Sequence, residues 1–331
     1  MDARIRALPK AHLHLHFPRT IRLSTLTEFA AREGISLDGF HQFTNLSEFL
    51  GRRPINECIT KAEDVQRLCR EMVEDEARDG VLYSEPMIVL DRYLPRFGTL
   101  DEVFRLMRDA FTQAGRDLGV EIGIMIGFSR HGHSVAAVEA LARFAAGYAG
   151  DGVVAFGFGG DEERVGPEPF VRACAIARAA GLLVVPHAGE AVGAAGVTAA
   201  LDALRPDRIA HGVRAAEDER VLARLAEERV TCDVCPTSNV RLGVVAGIEQ
   251  HPLPRMIEAG VAVTLNADDP VDFGVTCSGE YALARDVFSL SDQQLAAIAE
   301  TSAQAGGASP AVKQRIMQGI QRWLTVPPPR P

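Results

Sequence analysis

Apolar residues along the chain follow two alternating patterns. Eight short runs, 10–17, 80–88, 120–128, 152–160, 182–190, 208–213, 230–238 and 261–269, are rich in Val, Ile or Leu and nearly continuous in hydrophobicity. Strands buried on both faces read this way, because helices cover a parallel sheet on either side. Between the runs, apolar positions recur at helical spacing. In 60–79, Val65, Leu68, Met72 and Val73 fall on one stripe, Thr60 and Glu63 have the spacing of a capping box, and Gly80 suits the stop. Thr99 and Glu102 repeat that box, and 170–181, 191–204, 218–228 and 253–260 supply later crossovers. Strand–helix alternation predicts a parallel α/β sheet, and eight rounds predict closure into a (β/α)8 TIM barrel. The pattern predicts one domain over 1–331. Segment 21–79 is too long for one crossover helix and is expected to add a helical cap over the mouth. The proline-rich end, 327–331, is expected to fray.

Composition narrows the class. A chain of 331 residues at 47% hydrophobic content can fill a barrel of this size. A net charge of −9 with both signs interspersed disfavours nucleic acid and anionic membrane as partners. The N-terminal residues lack the apolar core of a signal peptide, and no apolar run is long enough to span a bilayer. The expectation is a cytoplasmic protein, with an oligomer left open. Six cysteines are scattered without a framework, so reduced thiols are expected. Cys232 and Cys235 form a C-x-x-C in an apolar, strand-like run and are read as structural thiols rather than a redox or zinc pair.

Polar residues collect at the C-terminal ends of the runs, where barrel active sites are built. Residues two apart on a strand share a face, so His12, His14 and His16 in "HLHLH" are predicted to point the same way. His12 then lies a pleat deeper, as a supporting or core histidine. His187 comes late in the fifth run, His211 late in the sixth, and Asp268 and Asp269 end the eighth. Imidazoles and a carboxylate converging there suit zinc, with iron or another divalent ion as alternatives. Such an ion brings the pKa of water toward neutrality.

At these residues the chain resembles the adenosine deaminase branch of the amidohydrolase superfamily, from about Leu8 to the final helices. "LPKAHLHLHF" is similar to the family's first-strand metal motif, "GFGGDE" to its fourth-strand loop, and "PHAGE" to its fifth-strand motif. "RIAHGV", "VCPTSNVRLG" and "NADDP" follow in order. The resemblance implies one Zn2+ per chain, or another divalent metal, held by His14, His16, His187 and Asp268. It implies Glu190 as the acid, His211 beside the attacking water and Asp268 as a proton acceptor. Asp269 would meet the purine, and the Gly160 backbone amide would do the same. The implied reaction turns a 6-aminopurine nucleoside, adenosine by default, into the 6-oxopurine plus ammonia. Protonating ring N1 requires Glu190 to carry a proton, and burial favours that state.

The chain also departs from the family. After the paired histidines it has "FPRT", where members carry a short acidic or hydroxyl residue and a glycine. Arg19 either pairs an anionic tail of the substrate or faces solvent. Phe17 either stacks on the purine or packs beneath the cap. Gly157 and Met87 replace an aspartate and an arginine or glutamine usual in the family. Adenine, aminodeoxyfutalosine and an anionic adenosine derivative are therefore alternative substrates. A silent binding protein of the same fold is a further reading. Glu85 is read as a supporting partner of the site or half of a buried salt bridge, and His131 and His133 as an exposed loop.

Overall fold

The structure, a computed structural model, describes residues 2–51 and 54–326; the tail expected to fray, 327–331, lies outside the described residues. The strands are β1 (Lys10–Phe17), β2 (Val81–Ile88), β3 (Glu121–Ile122), β4 (Ile124–Ser129), β5 (Val153–Gly159), β6 (Leu183–Ala188), β7 (Arg208–His211), β8 (Thr231–Val234) and β9 (Val263–Leu265). They pair in parallel in the order β1-β2-β4-β5-β6-β7-β8-β9, and β3 adds to β2. The third run is broken at Gly123, where a Cβ would lie 2.4 Å from the Tyr83 hydroxyl. The ring closes just beyond β9. There Leu15 bridges Asp268, His16 N donates to Asp268 O at 3.0 Å, and Asp268 N donates to His14 O at 3.1 Å. The fold is a (β/α)8 barrel, and its closing seam carries three of the residues expected in the site.

Several predicted boundaries move. The runs 230–238 and 261–269 overshoot, since β8 stops at Val234 and a helix takes over at Pro236–Arg241. The helix of the first capping box spans Ala62–Arg78, with Asp64 in place of Glu63: its carboxylate accepts from Thr60 N at 3.1 Å and Lys61 N at 2.9 Å. The Thr60 hydroxyl is instead engaged by Glu33. The Thr99–Glu102 box forms as predicted, ahead of the helix Leu100–Leu118. Between β1 and β2 lie the helices Leu23–Glu33, Leu46–Leu50 and Pro54–Cys58 as well as Ala62–Arg78.

The three histidines of β1 do not share a face. Along β1 the pairs run Ala11↔Tyr83 and His12↔Ser84, then Leu15↔Pro86 and His16↔Met87. Three steps on β1 meet two on β2, and one extra residue inverts the alternation of side chains. His12 therefore turns to the helix Ala62–Arg78, where its Nδ1 donates to the Glu76 carboxylate at 3.0 Å. Its Nε2 accepts from Ala267 N at 3.0 Å, beside Asp268. Asn266 satisfies the amides that the irregularity leaves without strand partners: its Oδ1 accepts from Leu13 N at 2.8 Å and His14 N at 3.1 Å.

Beneath the site the barrel is floored by a charged network. Arg208 bonds Glu85 at 2.6 Å and Asp233 at 2.9 Å, with all three side chains at most 1% exposed. Tyr83 and Gly307 N donate to the other Glu85 oxygen, Thr264 donates to Asp233, and Asn266 donates to Thr264. Glu85 is thus half of a buried salt bridge.

Candidate active site

His14 is oriented by what lies under it. Its Nδ1 faces the Asp233 carbonyl at 3.1 Å, and a carbonyl only accepts, so Nδ1 carries the proton. Nε2 is bare, buried and without a hydrogen-bond partner, 3.3 Å from Asp268 Oδ1. His16 Nε2 lies 3.1 Å from the same oxygen and 3.2 Å from His187 Nε2. Ring centroids are 5.4 Å apart for His14–His16, 4.8 Å for His14–His187 and 5.2 Å for His16–His187. Ser238 Oγ donates to Asp268 Oδ2 at 2.6 Å.

This is poor hydrogen bonding and a good ligand set. An orphaned nitrogen, two imidazole nitrogens face to face and a shared carboxylate oxygen all aim at one volume. The donor types suit zinc and its borderline neighbours. Among the described residues, three overlapping groups have ligand atoms mutually within 4.8 Å: His14, His16 and Asp268; His14, His187 and His211; and His211, Cys235 and Asp268. Cys235 was expected to be structural. Burial pushes its thiol well up, away from the thiolate a metal needs.

The charges agree with a cation-binding centre. Burial works to raise the pKa of Asp268, but His14, His16 and His211 outweigh it and hold the carboxyl well below its usual range. Burial keeps His16 and His187 below the ordinary imidazole value, hence neutral with a lone pair to give. Burial also works downward on His14, yet Asp268 outweighs it and raises the group. A metal ion at Nε2 would meet the same favourable charge from Asp268.

Glu190 follows β6 in a loop held by one side chain. The Glu162 carboxylate accepts from four successive amides, Gly189, Glu190, Ala191 and Val192, at 2.8–3.1 Å. Glu190 is buried, and burial, then Asp268 and Glu162, push its pKa up to about 8. His211 Nε2 lies 3.4 Å from Glu190 Oε1. His211 and Asp268 have φ of 68° and 61°, a left-handed conformation uncommon outside glycine and often kept at functional sites.

A cavity of about 100 Å³ opens above these groups, bordered by His187, Glu190, Asp268, Asp269 and Gly160. Gly160 sits at φ +96°, where a Cβ would strike Ser129 Oγ at 2.9 Å and the His131 ring at 3.0 Å. Asp269 Oδ1 is buried without a hydrogen bond, and burial, then Asp268, raise that carboxyl well above its usual range. Leu46, Phe49 and Ile55, from the segment between β1 and β2, close the far wall.

The structure sharpens three expectations. Arg19 does not face open solvent but borders the cavity: its guanidinium bonds Asp272 at 2.7 Å, approaches Asp269 at 3.6 Å and lies 4.4 Å over the Phe49 ring. Phe17 borders the cavity, and its ring packs with Phe111 at 5.5 Å and Tyr93 at 6.4 Å, as in the packing alternative. His131 and His133 are half-buried, with His133 3.2 Å from Asp91 and His131 accepting from Asp161 N. Residues that sequence reasoning passed over include Ser238 and Asn239 in "VCPTSNVRLG" and Glu162 in "GFGGDE". The motifs were visible, but which atom each side chain would meet was not.

The family model described as adenosine deaminase matches residues 9–323. A Streptomyces coelicolor protein named "Putative adenosine/adenine deaminase" is 41% identical, covering 97% of this chain and 98% of that one. The crystal structure of an adenine deaminase from Arthrobacter aurescens superposes with a TM-score of 0.88 at 31% identity, over 96% of this chain and 99% of that one. An amidohydrolase from Burkholderia ambifaria, solved with bound zinc, shares the fold at TM-score 0.86 and 22% identity, over 98% and 94% of the two chains.

Proposed function

The chain belongs to the adenosine deaminase family of metal-dependent aminohydrolases, and on that premise we propose that it is a zinc-dependent deaminase of an uncharged 6-aminopurine, adenosine or adenine. The observation that carries this reading is Glu190: a buried carboxyl with its pKa at about 8, set beside the His14, His16, His187 and Asp268 cluster, in which His14 Nε2 is buried without a hydrogen bond. Those four residues would hold the ion. When bound, zinc supplies the Lewis acidity that lets water attack near neutral pH.

The chain's own residues do the rest. Glu190 holds a proton at its carboxyl and delivers it to ring N1, which makes C6 electrophilic. His211 Nε2 faces the same space and stabilises charge gathering on the attacking oxygen. Asp268, kept ionised, accepts the proton that water loses. Asp269 meets the purine ring nitrogen, and the Gly160 amide borders the ring. The water oxygen bonds C6, Asp268 passes its proton to the amino nitrogen, the C6–N bond breaks so that ammonia leaves, and the proton of the new hydroxyl returns to Glu190 as the 6-oxo group forms.

An uncharged tail fits Arg19 better than an anionic one, because Asp272 already balances its guanidinium. Residues 21–79 are read as the cap of a single-domain barrel, on the support of the helices that close the cavity. The test is turnover of zinc-loaded protein on adenine, adenosine, AMP and aminodeoxyfutalosine, followed as loss of absorbance. Adenine or adenosine should react at least tenfold faster than AMP. Preference for AMP would reject the tail assignment, and metal binding without any turnover would reject the catalytic reading.

A further inference from the structure

A line of hydrogen bonds runs behind His211, away from the cavity. Leu253 N donates to His251 Nδ1 at 3.1 Å, His251 Nε2 lies 3.1 Å from Asn239 Oδ1, and Asn239 Nδ2 lies 3.2 Å from His211 Nδ1. His251, Asn239 and His211 are all buried. The direction of the whole line is set at one end. A backbone amide can only donate, so His251 Nδ1 is bare and its proton sits on Nε2. That proton needs an acceptor, so Asn239 turns its carbonyl to His251 and its amide NH2 to His211. His211 Nδ1 is then bare as well, and its proton sits on Nε2, which faces Glu190 at 3.4 Å and Asp268 at 3.9 Å.

We propose that His251 and Asn239 are positioning residues that fix His211 as its Nε2–H tautomer, so that it offers the reacting centre a hydrogen-bond donor rather than a lone pair. The catalytic consequence rests on the role given to His211 above; the order of the hydrogen bonds does not. A histidine's tautomer follows the bond made by its other nitrogen. Here that bond is traced through two side chains to a fixed peptide group. Burial also pushes His251 down to about 4, so no second proton reverses the line near neutral pH. Because His211 already carries its proton on the reacting side, it stabilises developing negative charge and leaves the proton from water to Asp268.

The test uses the zinc-loaded full chain labelled with 15N at histidine, read by long-range proton–nitrogen correlation spectra that separate protonated from bare ring nitrogens. Spectra of His211→Ala assign the signals. Wild type should show His211 protonated at Nε2. Asn239→Asp, which presents only acceptors, should move the proton to Nδ1 or charge the ring. It should lower kcat by on the order of 10²-fold with KM changed only a few-fold. His251→Leu frees Asn239 to turn and should give mixed tautomers with a kcat loss of about tenfold; His251→Gln, whose amide can donate where Nε2–H did, should recover most of it. A wild-type His211 protonated at Nδ1 overturns the proposal. So does an unmoved ring proton in Asn239→Asp or, should that variant not fold, in His251→Leu. Full activity in His211→Ala would instead overturn the catalytic role on which the consequence rests, while the spectra would still report the tautomer.

Discussion

The floor and the mouth of the barrel are both buried, both charged and only a few ångströms apart, yet they are built on opposite principles. On the floor, Arg208, Glu85, Asp233, Thr264 and Asn266 use every buried side-chain polar atom they have. Two carboxylates flank one guanidinium, and hydroxyls and backbone amides complete the rest. At the mouth, His14 Nε2, His187 Nδ1 and Asp269 Oδ1 are buried without hydrogen bonds. Desolvating a polar group without a partner costs about 1–3 kcal/mol, so a fold retains such groups where something else completes them. A satisfied network holds a structure; an unsatisfied one of the same polarity waits for a ligand. The two regions meet at Asp233, whose side chain serves the floor and whose carbonyl orients His14.

The contrast predicts that mouth and floor substitutions separate activity from stability. The largest effect belongs to His14→Ala. Zinc per chain should fall to near zero and turnover by roughly 10⁴-fold, while denaturant stability of the metal-free protein holds or rises. Arg208→Met should do the reverse, costing about 3–5 kcal/mol in urea unfolding because two carboxylates are left buried and unpaired. The folded fraction should keep kcat within a few-fold. Glu190→Gln should retain zinc and KM but lose about 10²–10⁴-fold in kcat.

A pH experiment sharpens the same line. In metal-free protein the Glu190 pKa lies at about 8 against an ordinary 4.5, so the folded state keeps a proton that the unfolded chain releases. Its contribution to stability is complete below about pH 4.5 and is lost as pH rises toward 8. Stability of wild type relative to Glu190→Gln should therefore fall across that window, and a flat difference would contradict the burial argument. The smallest effect is expected for Arg19→Ala, a KM change of a few-fold that is similar for adenosine and AMP, since Asp272 already takes the charge.

Much of this was legible in the chain because hydrophobic pattern and strand ends are local properties. Eight apolar runs mark every barrel strand, and His14, His16, His187, Glu190, His211 and Asp268 fall in or just after those runs. What stayed hidden is non-local. The irregularity that turns His12 outward depends on Asn266, 254 residues away, accepting the amides of Leu13 and His14. Arg19 looked available because Asp272 is distant in sequence and adjacent only after the ring closes. Asn239 lies in the short helix Pro236–Arg241 and His251 in the loop before Leu253, with no periodicity to mark either, and only the folded chain brings them into one line to His211.

The central claim is that the unsatisfied mouth is a metal site made of imidazole nitrogen and carboxylate oxygen. Zinc K-edge X-ray absorption on stoichiometrically loaded protein tests it most directly. The account predicts a shell of nitrogen and oxygen at about 2.0–2.2 Å with imidazole scattering and no sulfur. A sulfur neighbour near about 2.3 Å would place the ion on Cys235 instead, and failure to retain one zinc per chain would contradict the claim outright.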